Sequence, residues 1–143
     1  MIRRMYRKGA TDIWCIHKEG KFAGLAITIN GPDKILLDYF AVSTAVRGQG
    51  IGTMALLALN EKYAPKGLFV EIESTQEPSE NPEQRMRRKR FYLACGMQEL
   101  GVNALLFGVR MELLGWRCQM DYADYKAFYH DCYNPWAADH INP

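Results

Sequence analysis

One stretch of this 143-residue chain, Arg47-Gly48-Gln49-Gly50-Ile51-Gly52, sets a cation beside three glycines at alternate positions. An apolar run, ILLDYFAV, leads into it, and a helical pattern, GTMALLALNEKYA, leads out. A strand, a glycine-rich turn and a helix together make an anion site. The first-turn N–H groups of the helix lack partners, and the helix dipole adds partial positive charge. Small residues let a phosphate reach the backbone, and Arg47 adds a charge-assisted donor. The same glycines would also serve a turn needed only for tight packing.

Other chemistries are excluded more firmly. The Walker A pattern needs a lysine after its last glycine, and Thr53 follows Gly52. A dinucleotide fold would place glycine where Thr53 stands, directly after a strand and within alternating strand–helix units. Glu71 does lie near where its ribose-binding acid would fall, but the chain opens with a hairpin. His17, His130 and His140 are scattered without metal-ligand spacing, and no HExxH or paired-cysteine pattern exists, so no metal is expected. Nor is there a nucleophile elbow or a Cys–His arrangement that would support a covalent enzyme intermediate.

The elements that must hold the loop follow from pattern. DIWCIH (12–17) and FAGLAITI (22–29) read as a hairpin, and KILLDYFAV (34–42) as a central strand. Met54, Leu56, Leu57 and Leu59 line a helix that stops near Pro65–Gly67. GLFVEIES (67–74) is a strand whose Glu71 and Glu73 share one face. A polar loop (74–84) precedes a helix from about Pro82 to Cys95 that Gly96 ends. MQELGV and ALLFGVRMELL read as the last two strands, QMDYADYKAFYHDC as an amphipathic helix and NPWAADHINP as a tail. Length and 48% hydrophobic content suit one domain: a core over 12–114 and a C-terminal helical extension over 116–143. Net charge is only +2, and four cysteines form no disulfide framework. With no signal or spanning segment, the reading is a cytoplasmic protein.

Two motifs in order now carry a resemblance. Arg47–Gly52 fits [QR]-x-x-G-x-[GA], and RFYLACGM is similar to an FYxxxGF element. The chain thereby resembles the GNAT superfamily of N-acetyltransferases over roughly residues 12–114. The resemblance implies an α+β fold with a mixed, largely antiparallel sheet, splayed where acetyl-CoA enters as acetyl donor. It implies that Phe40, Ala41 and Val42 pair with the pantetheine arm. Arg47, Gly48, Gln49, Gly50, Ile51, Gly52 and Thr53 would hold the pyrophosphate. Tyr92 is implied as the general acid for the departing thiolate. Glu71, or Asp38 on the strand before the loop, is implied as base toward a primary amine. A backbone N–H on the 40–42 strand would meet the oxyanion.

Three departures shape the rest. Members usually place a strand and two helices before the hairpin; only about a dozen residues precede it here, and MIRRMYRKGA reads as the end of such a helix. Arg85 and Arg88 stand where Asn and Ala are usual. RMRRKR (85–90) reads as a solvated face, as a contact to the coenzyme 3′-phosphate or an acidic acceptor, or as a nucleic-acid patch. Against the last, only Phe91 and Tyr92 could stack, and the fold should bury them. The acids Asp38, Glu71 and Glu73 suit a cationic acceptor, a small molecule or a peptide amine. The aromatic C-terminal segment leaves a homodimer open. The rival class is a coenzyme-binding or regulatory module without catalysis.

Overall fold

The computed structural model describes residues 1–143. Eight strands form one sheet: β1 (Ile2–Lys8), β2 (Thr11–Lys18), β3 (Lys21–Asn30), β4 (Ile35–Val42), β5 (Leu68–Glu73), β6 (Gln98–Leu106), β7 (Val109–Trp116) and β8 (Ile141–Asn142). The order across the sheet is β1-β2-β3-β4-β5-β7-β6-β8. Every neighbouring pair is antiparallel except β4 and β5. The helices are α1 (Ile51–Lys62), α2 (Pro82–Ala94), α3 (Tyr122–Phe128) and α4 (Pro135–Ala138).

Strand alternation divides the core into two layers. Ile35, Leu37, Leu68, Val70 and Ile72 face α1 and α2, meeting Leu56, Leu59 and Tyr92. Leu36 and Phe69 face the other way, meeting Tyr125, Phe128 and Tyr129. The Phe69 ring stands edge-on to Phe128 at 5.1 Å between centroids, a favoured aromatic geometry. The C-terminal segment thus forms a third layer. Its helix α3 starts at a reciprocal cap: Asp124 N donates to Asp121 Oδ1 (2.8 Å), and Asp121 N donates to Asp124 Oδ2 (3.0 Å).

Three expectations are corrected. The N-terminus is the edge strand β1, not a helix end. It pairs with β2 from Ile2↔Ile16 to Lys8↔Thr11, and Arg7 donates from Nε and Nη2 to the fully buried Asp12 at 2.6 and 2.9 Å. That charged pair and the ladder outweigh the weak local preference of a basic segment. ALLFGVRMELL is not one strand: it folds back at Phe107–Gly108, both at positive φ, so β6 extends to Leu106. The tail is structured too. Asn134 Oδ1 caps α4, and Ile141, fully buried, pairs with Leu106.

Helix α2 is pinned by a buried ion pair. Lys89 Nζ lies 2.6 Å from Glu112 Oε1 and 2.5 Å from Glu99 Oε1, while Thr75 donates from N and Oγ1 to Glu112 Oε2. Lys89 and Glu112 are each 6% exposed. Lys89→Met would leave the Glu112 charge without its cation. It should lower unfolding stability by about 3–5 kcal/mol, read as a drop in the urea midpoint.

Candidate active site

The site begins where β4 and β5 part. They pair only at Ile35↔Leu68 and Leu36↔Phe69, so β4 from Leu37 and β5 from Val70 diverge with no partner between them. A bulge between Thr28↔Leu37 and Ile27↔Tyr39 leaves Asp38 as the extra residue of β4, turning its end away from β5.

On the α1–α2 side of this split lies a cleft of about 660 Å³, within the usual range for small-molecule sites. One wall is the end of β4, Tyr39 to Val42. The floor is Arg47, Gly48, Gly50, Ile51, Gly52 and Thr53, and the far wall is Arg87, Arg88, Phe91 and Tyr92 of α2. Gly48 and Gly50 hold φ of 83° and 73°, the left-handed region that favours glycine. Gly50 is the N-cap of α1 and brings no side-chain acceptor, so the first-turn N–H groups of Ile51, Gly52 and Thr53 have no cap partner. Arg47 is steered by its Nε, which donates to Val42 O at 3.3 Å. Of the ten residues expected to hold the coenzyme, nine line this cleft. Gln49 does not: its Oε1 accepts from Lys18 Nζ at 2.9 Å on the outer side of the loop.

Tyr92 closes the inner end of the cleft and is 3% exposed. Burial pushes its hydroxyl pKa up, keeping the proton on at neutral pH, while the nearby Arg88 guanidinium pulls the other way. Arg88 sits one helical turn before Tyr92, the spacing at which helical side chains meet. From the sequence Arg88 reads as a member of a basic run and as a departure from the usual Ala, with no link to Tyr92.

A smaller cavity of about 210 Å³ lies beside the free edge of β5, lined by Glu71, Glu73, Arg85 and Met111 among others; Gln84 and Arg88 line both cavities. Asp38 and Glu71 come from opposite arms of the split. Glu71 Oε2 accepts from Tyr129 Oη at 2.7 Å and from Tyr125 Oη. Asp38 Oδ2 accepts from Tyr133 Oη at 3.1 Å. Burial, with the Asp38 charge adding to it, lifts Glu71 above the ordinary carboxylate range, and the two tyrosines oppose this. Burial raises Asp38 as well. Tyr133 is pushed up to about 12, by burial and then by Asp38.

The basic run does not act as one patch, because successive helical residues point in different directions. Arg85 pairs with Glu73 at 2.5 Å, Arg87 and Arg88 reach the cleft, and Lys89 is buried. No three His, Cys, Asp or Glu side chains gather as a metal-holding group. No helix is long and apolar enough to cross a membrane.

The profile of the Acetyltransferase (GNAT) family matches residues 2–97. The chain belongs to the GNAT acetyltransferases. No curated protein matches it. Among solved structures, the fold is similar to a GNAT-family protein of Bacteroides thetaiotaomicron, 21% identical with a TM-score of 0.70, covering 87% of this chain and 71% of that one. It is also similar to a Bacillus subtilis acetyltransferase in complex with CoA (14% identity, TM-score 0.59, 74% and 76% covered). A third is a GNAT acetyltransferase of Elizabethkingia anophelis with acetyl-CoA bound (13%, 0.58, 74% and 75%). As a GNAT enzyme, the chain is an acetyl-CoA-dependent acetyltransferase with the family's mixed α+β architecture.

Proposed function

We propose that this GNAT domain moves the acetyl group of acetyl-CoA to a cationic primary amine by direct attack, without an acetyl-enzyme. One observation carries the reading: the two cavities share Gln84 and Arg88 of α2, with a phosphate-ready loop on one side and Glu71 on the other, beside the β4–β5 split. The amides of residues 48–53 and Arg47 would hold the pyrophosphate, with Gln49 contributing backbone only. The unpaired edge of β4 at Phe40, Ala41 and Val42 would take the pantetheine arm as an added strand.

In this scheme Asp38, at the exposed mouth, draws in the ammonium form of the acceptor, and Glu71 takes its proton directly or through water. The neutral nitrogen then attacks the thioester carbon, a C–N bond forms, and a backbone N–H of the β4 edge meets the developing oxyanion. The C–S bond breaks, Tyr92 protonates the leaving thiolate, and the surplus proton of the attacking nitrogen passes through solvent, restoring the Tyr92 phenol. Arg88 makes the phenolate less costly at that moment.

Calorimetric titration with acetyl-CoA, with NADH as control, tests the donor half of the scheme. Thiol release over a panel of primary amines then tests transfer. Binding without thiol release from any amine would favour a coenzyme-binding module. Glu71→Gln should lower turnover at neutral pH about tenfold, less than a typical general base supplies because water can relay the proton. The deficit should shrink as pH rises, since the free amine needs no base. In the wild-type enzyme, activity should fall as pH drops through the raised Glu71 value, because a protonated carboxyl accepts nothing. A Glu71→Gln variant with wild-type turnover and pH profile would remove Glu71 from the mechanism.

A further inference from the structure

Glu71 is held by a part of the chain that the family profile does not cover: the match ends at residue 97, and Tyr125 and Tyr129 lie beyond it. Both hydroxyls converge on one oxygen, Oε2, and no protein group donates to Oε1. The two rings are fully buried or nearly so and pack edge-to-face at 5.3 Å. Phenylalanine would serve such packing equally well. A phenol in this layer needs a partner for its O–H, and here both take the same carboxylate.

We propose that Tyr125 and Tyr129 are positioning residues for the transfer reaction, acting through Glu71 by fixing Oε2 and leaving Oε1 as the single oxygen able to receive a proton. The proposal rests on the base reading of Glu71 and deepens it. Two O–H donors to a carboxylate are charge-assisted bonds that favour its ionised form. Burial and the neighbouring Asp38 charge act against ionisation. The tyrosines therefore favour the charged form of a buried base and hold its free oxygen in one orientation. Of the other charged groups lining the same cavity, Arg85 is paired with Glu73, and Arg88 faces it from α2. Tyr133 holds Asp38 in the same manner from the same C-terminal segment. The residues that orient both carboxylates therefore come from one covering layer.

The test reads the Glu71 proton itself and needs no acceptor. In the full chain carrying ¹³C at the glutamate carboxyls, the Glu71 resonance is assigned by its loss in Glu71→Gln, and its titration is followed by NMR. Tyr129→Phe and Tyr125→Phe should each raise the midpoint by about one pH unit, from the loss of one donor to the charged form. Tyr122→Phe, whose hydroxyl donates to Ile141 O on the same helix, should leave it in place. The acid limb of kcat/KM should move with the midpoint in the same variants. An unmoved Glu71 midpoint in folded Tyr129→Phe overturns the proposal, whether or not Tyr125→Phe folds. Wild-type turnover in Glu71→Gln instead overturns the base reading, so the two failures are told apart.

Discussion

Tyr92→Phe should lower turnover on the order of 100-fold, the scale of a lost general acid, while the affinity for acetyl-CoA stays within about twofold. The ring is 3% exposed and packs edge-on against Phe91 at 5.3 Å, so phenylalanine fills the same space and the cleft wall keeps its shape. Only the hydroxyl is lost. In its place the thiolate must leave unprotonated or find a water in a site where Arg88 is the remaining donor. Burial raises the Tyr92 pKa and Arg88 lowers it; with Tyr92 as the acid, an alkaline limb of the kcat profile would report its ionisation. That limb should vanish in Tyr92→Phe and move up in Arg88→Met. Turnover unchanged by Tyr92→Phe would remove the hydroxyl from the reaction.

Gly52→Val should abolish measurable acetyl-CoA binding by calorimetry without unfolding the domain. A Cβ at Gly52 would meet Phe91 Cε1 and Cζ at 3.5 Å and Val42 Cγ2 at 3.6 Å, ordinary contacts that displace no backbone. Gly52 is not among the positive-φ residues, so valine introduces no left-handed strain. Its methyls would then stand between the end of β4 and α2, where the pyrophosphate must approach the first-turn amides. A melting temperature near that of the wild type together with lost binding is the expected pair of results. Retained binding would show that the ligand does not come against this turn. Gly50 is a poorer probe, because at φ 73° any side chain is strained whatever the ligand does.

Much of the site was legible because it is local. A glycine-rich turn between a strand and a helix is a matter of adjacent residues, and nine of the ten residues read as coenzyme contacts do line one cleft. The Gln49 side chain lies outside that cleft for a reason local pattern cannot supply: Lys18, 31 residues away, draws it outward. The N-terminal strand was misread because its own composition is ambiguous. Its conformation is set by β2 and by the buried Asp12, to which Arg7 is tied. Likewise the short returns at Phe107–Gly108 and Ile141 depend on ladder partners more than on propensity.

The amino-acid sequence by itself determined the cradle, the hairpin–strand–helix order around it, Tyr92 near the end of α2 and the carboxylates available as bases, since each follows from short-range spacing. Only the tertiary structure decided how those carboxylates are held. Asp38 and Glu71 lie on strands that part after two residue pairs, and the tyrosines that hold them come from residues 125–133. Amphipathic spacing said that those rings would face a core. It could not say that the face contained a charge, because a hydroxyl buried against a distant carboxylate leaves no periodic signal in the chain.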